Sequence, residues 1–286
     1  MDYQELKNGI KKLQKIKSLC VKTIGKSVFG NNIYAVECIK HNDFPWAIIT
    51  AGIHGREYLS CDLVIKQIYD FVKLKNVAFN VAFVPLVNPD GANISKNQLV
   101  GLSKKQSMQV LKICNKDNLK MFKANANGVD LNNNFDANWQ IQHSKTNCPS
   151  SQGFYGTKPF DQPESLALKN FTEQIKPFLT ISYHLKGEEI YFDFFQSKKD
   201  YIRDKQIAEV FAQSTGYSIK STQAVSSGGY KDWCVQKLKI PALTIELGSN
   251  DLVHPVQKTE LDSIYSKNKA VFDCIKQTLE IYKMEK

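Results

Sequence analysis

The chain has 286 residues, 42% hydrophobic and 23% charged, an ordinary balance for a globular protein and length enough for one sizeable core. No apolar run reaches the roughly 18 residues of a membrane-spanning helix, so no membrane partner is expected. The net charge of +10 comes mostly from lysines spread along the chain, with arginine only at Arg56 and Arg203. A nucleic-acid surface concentrates both cations beside aromatic residues, so nucleic acid is not expected as a partner either.

Residues 3–18 carry Leu6, Ile10, Leu13 and Ile16 at helical spacing and are predicted as a helix. Lysine-rich and without the apolar centre of a secretory signal, this segment suggests a cytoplasmic protein. Residues 25–32 read as a turn and 33–39 as an apolar strand. Residues 46–51 form a buried strand that leads into Gly52-Ile-His-Gly-Arg-Glu57, and 61–73 a helix. A strand over 78–87 is closed by Asn88-Pro-Asp-Gly91, a strong turn signal. From about 92 to 160 no long periodic segment is evident and asparagine and glycine are frequent; loops of this length usually carry function. A helix over 163–176, capped by Asp161, precedes strands at 179–184 and 190–195 around a turn at Gly187. Residues 200–215 are predicted helical, 242–247 a buried strand, and 259–282 one long terminal helix. Strands alternating with helices predict an α/β fold whose sheet is covered on both faces. The seven cysteines are scattered and form no CxxC pair, which argues against a disulfide framework and agrees with a reducing compartment.

Three of the apolar strands end in, or carry, a polar residue, and the carboxyl ends of strands are where α/β proteins place chemistry. The first leads to His54 and Glu57, whose spacing of three puts both on one face of a helical turn. The second ends at His184. The third carries Glu246 inside an apolar run, where a carboxylate must be paired, bound to metal or poised as a base. Two histidines and a glutamate are the set of a catalytic zinc ion with a position left open for water. Glu246 is then the candidate general base and later general acid.

Six segments, in order, carry a resemblance: His54-Gly-Arg-Glu57, Asn88-Pro-Asp-Gly91, Gly128-Val-Asp-Leu-Asn-Asn-Asn-Phe135, Ser182-Tyr-His184, Gly228-Gly-Tyr-Lys-Asp-Trp233 and Thr244-Ile-Glu-Leu-Gly248. Together they resemble the zinc metallocarboxypeptidases of the carboxypeptidase A type. The resemblance implies a single domain over residues 1–286, with residues 1–24 as an N-terminal helix packed on it. It implies a mixed twisted sheet of about eight strands with helices on both faces. One zinc ion per chain would be held by His54, Glu57 and His184, with Glu246 acting on the water. Asp130 would orient His54 by a hydrogen bond, and Arg56 and Asn132 match positions that contact substrate.

Three departures bear on the substrate. Asn133 stands where the family has an arginine that holds a terminal carboxylate, and a neutral amide is a weaker donor than a guanidinium fork. Lys123 stands where an arginine polarises the scissile carbonyl and is the candidate to supply that charge. The usual active-site tyrosine aligns with Ala224, leaving Tyr230 as a substitute. The position that sets pocket specificity falls on Lys231. Within the superfamily the segments around Lys231 and His184 look most like the γ-D-glutamyl-diaminopimelate peptidases, and Lys231 with Glu188, Glu189 or Asp232 would read the zwitterionic end of diaminopimelate. The resemblance thus implies a zinc peptidase acting on muropeptides. The alternatives are a carboxypeptidase for acidic or polar C-terminal residues and a non-catalytic peptide-binding relative.

Overall fold

The computed structural model describes residues 1–115, 117–139, 146–221 and 228–284. Its strands are β1 (Leu19–Lys26), β2 (Asn32–Cys38), β3 (Trp46–Ala51), β4 (Asn80–Val84), β5 (Leu179–Leu185), β6 (Glu189–Tyr191), β7 (Ser218–Lys220) and β8 (Ala242–Leu247). They form one sheet in the order β1-β2-β4-β3-β5-β8-β6-β7. The helices are α1 (Tyr3–Leu13), α2 (Leu59–Lys73), α3 (Pro89–Asn97), α4 (Lys104–Cys114), α5 (Pro163–Ile175), α6 (Lys198–Thr215), α7 (Tyr230–Trp233), α8 (Leu261–Asn268) and α9 (Val271–Met284).

The centre of the sheet is parallel: β3 pairs with β4 and with β5, and β5 with β8. Strands covered on both faces need apolar side chains in both directions, which is why these segments are nearly continuous Val, Ile, Leu and Ala. Antiparallel β2 and β6 flank this centre, giving the mixed sheet that the resemblance implied. Along β3, Ala47 and Ile49 pack with α1, α2, α6, α8 and α9, whereas Ile48 faces α5 and α7. Helices therefore cover both faces. Among the described residues no helix is long and apolar enough to cross a membrane.

Several element boundaries differ from the sequence expectation. The first helix ends at Leu13, not at 18, and residues 19–26 form β1, so residues 1–24 are not one helix. β1 is an edge strand without clean apolar alternation and bulges between Thr23 and Gly25, which hides it from a pattern search. The stretch after residue 92 contains α3 and α4, whose apolar residues Ile94, Val110, Ile113 and Cys114 pack into a small separate core with Phe122, Ala124 and Ala126. Asp161 does not cap α5; Gln162 holds that position, and Asp161 accepts instead from Thr157 and from Asn134 Nδ2. The terminal helix is interrupted between Asn268 and Val271 and forms α8 and α9.

Candidate metal centre and active site

The loop after β3 is built around two glycines. Gly52 has φ +61, and a Cβ there would lie 2.6 Å from Leu86 and 2.7 Å from Cys61. A Cβ on Gly55 would sit 2.5 Å from the Gly91 carbonyl oxygen and 2.7 Å from that of Phe122, so only glycine allows this close backbone approach. Asn88, which the sequence marks only as part of a turn, ties the same loops together. It caps α3 by accepting from Gly91 N at 2.8 Å, and its Nδ2 donates to Ile53 O at 3.2 Å and Ala124 O at 3.0 Å. Gly55 N also donates to Lys123 O at 2.9 Å. Three sequence-distant loops are thereby fixed around His54.

His54 precedes a 3-10 turn, Gly55–Glu57, that brings Glu57 back toward it. His54 Nδ1 lies 2.8 Å from Glu57 Oε1, and His184 Nδ1 lies 3.2 Å from both His54 Nδ1 and Glu57 Oε2. Leu185 N donates to Glu57 Oε2 at 3.3 Å. All three side chains are buried, and among the described residues they form a set of donor atoms able to hold a metal ion. Burial opposes ionisation of Glu57, but the two imidazoles hold its carboxyl well below the usual range.

The donor set fits zinc. Donors about 2.1 Å from a tetrahedral zinc ion lie roughly 3.4 Å from one another, close to the spacings seen here. Two imidazole nitrogens meeting edge to edge beside one carboxylate are also poor hydrogen-bond partners for each other and good partners for a cation. The far nitrogen of His54, Nε2, is buried and stands 3.3 Å from Asp130 Oδ1, off line for a hydrogen bond. Asp130 therefore faces the nitrogen left over once Nδ1 serves a metal.

Asp130 is a crossing point. Its Oδ2 accepts from Lys123 Nζ at 3.0 Å and from Gly153 N at 3.4 Å. Burial would raise its pKa, but the charges of Lys123 and His54 push it far below the carboxylate range. Lys123 in turn stays charged, because Asp130 and Glu57 outweigh the burial that would lower its pKa.

Glu246 faces the cluster from β8, where it pairs in register with His184 of β5. Its carboxyl is pushed up to about 7 by burial, with His184 and Lys123 opposing and Glu57 and Glu189 adding to the rise. Its Oε2 is buried and has no hydrogen-bond partner among the described residues.

The remaining candidates divide. Arg56 is half-buried and donates to Gln152 Oε1 at 3.2 Å and Met121 O at 3.4 Å. Asn132 Oδ1 accepts from Tyr230 N at 3.1 Å, and Asn133 ends a 3-10 turn whose backbone packs against Gly228. Tyr230 is no substitute for the active-site tyrosine. Its side chain is 1% exposed, packed with Phe135 and Trp233, and its hydroxyl lies 2.8 Å from Thr172 Oγ1 inside the core. The aligned Ala224 lies outside the described residues. Lys231 is not an open cation: its Nζ is 2.6 Å from Asp232 Oδ1 and donates to Asp193 O at 2.7 Å, with both charged side chains buried. Glu188 does not join it, being paired with Lys267 at 2.5 Å.

Comparison with known proteins agrees with this geometry. The γ-D-glutamyl-L-diamino acid endopeptidase 1 of Lysinibacillus sphaericus is 28% identical over 95% of this chain and 71% of its own length. In structure, the carboxypeptidase A of Helicoverpa armigera superposes with a TM-score of 0.75 at 18% identity, covering 99% of this chain and 74% of that one. The murein-tripeptide amidase MpaA of Escherichia coli O157 gives a TM-score of 0.51 at 20% identity, covering 93% and 91% of the two chains. The zinc carboxypeptidase family matches residues 7–270, nearly the whole chain. The chain belongs to the zinc carboxypeptidase family and is a metallopeptidase.

Proposed function

We propose that the chain hydrolyses the amide bond between γ-D-glutamate and meso-diaminopimelate in cell-wall peptides. His54, Glu57 and His184 would hold a zinc ion, which when bound would acidify a water and polarise the scissile carbonyl. Glu246 takes the water's proton and returns it to the leaving nitrogen. A carboxyl raised to about 7 accepts and releases a proton easily near neutral pH. Asp130 keeps the His54 ring in the tautomer that turns Nδ1 to the ion, and the Lys123 ammonium anchored on Asp130 supplies positive charge for the developing oxyanion. Arg56, Asn132 and Asn133 border the substrate.

Two features carry the substrate assignment, the residue at position 133 and the similarity to a diamino acid endopeptidase. Asn133 in place of an arginine weakens the grip on an ordinary C-terminal carboxylate. The similarity to the Lysinibacillus endopeptidase points the same way. A cytoplasmic setting belongs to this reading, since the seven cysteines are free thiols.

Incubating the zinc-loaded protein with L-Ala-γ-D-Glu-meso-diaminopimelate, and separately with peptides ending in acidic or polar residues, tests the proposal. Release of meso-diaminopimelate is expected, with kcat/KM at least about tenfold above the ordinary peptides. Turnover of the ordinary peptides alone would replace this reading with a carboxypeptidase. Failure on both, with full zinc content, would make the chain a peptide-binding relative.

A further inference from the structure

On the reading just proposed, the strand ends also indicate what recognises the substrate's side-chain amine. His184 of β5 pairs with Glu246 of β8, and Glu246 pairs on its other side with Glu189 of β6. Partners in register point to the same face of a sheet, so the metal-binding side chains, the base and Glu189 follow one another across the sheet. Glu246 and Glu189 are like charges roughly 5 Å apart at Cβ, an arrangement that destabilises a sheet unless a cation relieves it. His184 and Lys123 offset the charge of Glu246, but little in the chain offsets that of Glu189. Glu189 Oε2 accepts from the Tyr191 hydroxyl at 2.5 Å, and Lys220 Nζ stands 3.8 Å from Oε1 on a half-exposed side chain. An exposed pair of that length is worth little.

The direction of the reaction places the substrate over this row. A general acid must reach the nitrogen it protonates, so the leaving residue lies on the Glu246 side of the metal cluster, the side on which β6 pairs with β8. The other nearby acids are engaged: Glu188 with Lys267 and Asp232 with Lys231. We infer that Glu189, held in place by the Tyr191 hydroxyl, binds the side-chain ammonium of the leaving diamino acid and sets specificity for it. Glu189 is then a specificity residue and Tyr191 the residue that positions it.

The test uses the full zinc-loaded chain and two substrates that differ only in that amine, L-Ala-γ-D-Glu-meso-diaminopimelate and L-Ala-γ-D-Glu-L-2-aminopimelate. Losing a charge-assisted hydrogen bond costs about 1.5–3 kcal/mol, so Glu189→Gln is expected to lower the kcat/KM ratio of amine-bearing to amine-free substrate by about tenfold or more. Tyr191→Phe should lower the same ratio by less. An equal loss on both substrates, or an unchanged ratio, would overturn the assignment, because a purely structural role cannot distinguish them. Should the unsubstituted chain cleave neither peptide, the hydrolytic reading fails by itself and calorimetry decides the inference. Tighter binding of free meso-diaminopimelate than of 2-aminopimelate, lost in Glu189→Gln, would uphold it; equal binding would sink it.

Discussion

His184 and Glu246 are direct partners across the parallel strands β5 and β8. One strand pairing thus fixes the spacing between an imidazole of the candidate metal set and the candidate base, with no loop in between. Rigid strands hold such a pair more closely than loops do.

Replacing Glu246 by glutamine keeps the shape of this side chain and removes its ability to take a proton. The expected result is a loss of about 10²- to 10⁴-fold in kcat/KM, the usual contribution of a positioned base. Zinc content, measured by atomic absorption, should stay at one ion per chain. Unchanged turnover would take Glu246 out of the mechanism, and lost zinc would make it a ligand.

Asp130 serves His54 and Lys123 at once. In Asp130→Asn the amide cannot offset the Lys123 charge, and it offers His54 Nε2 a neutral partner in place of a carboxylate. Zinc affinity should fall about 10- to 100-fold, the typical cost of losing such a support for a metal-binding histidine. Competition with a chromogenic chelator measures it, and an affinity within twofold of the unsubstituted chain would show that Asp130 does not act through the metal.

The metal set was legible because few residue types bind zinc and each of these closes or follows a recognisable apolar strand. Glu246 was legible because a carboxylate inside an apolar run requires an explanation. The sheet itself followed from apolar runs alternating with helical periods. What escaped depends on tertiary partners. α4 buries its apolar face against a satellite core rather than the sheet, and β1 lies at an edge, so neither shows a strong period. Tyr230 and Lys231 sit next to each other in a correctly placed motif, yet a hydroxyl on Thr172 and an ion pair with Asp232 could be known only once the chain had folded. Glu189 was one of three acids that sequence could not separate, and the register that sets it beside Glu246 exists only once the sheet has formed.

Away from the metal centre, Glu164 makes a prediction about stability. It lies in the first turn of α5, fully buried, and accepts from Val28 N at 3.1 Å and Asn125 Nδ2 at 2.9 Å. Burial raises its carboxyl from 4.5 to about 7, with Asp90 adding to the rise and Asn125 opposing it. Between those two values the folded chain keeps a proton that the unfolded chain has lost. Stability from this group is therefore fully present below about pH 4.5 and declines as pH rises, the loss being complete above about pH 7. A shift of this size corresponds to something on the order of 3 kcal/mol over the whole interval. Glu164→Gln cannot titrate. It should pay a constant cost, because its amide cannot accept from both Val28 and Asn125, but it should escape the decline. Chemical denaturation at pH 5, 6, 7 and 8 is expected to show the variant less stable than the unsubstituted chain at pH 5, with the difference shrinking up to about pH 7 and levelling beyond it. Parallel pH profiles would mean that Glu164 is ionised in the folded chain throughout this range.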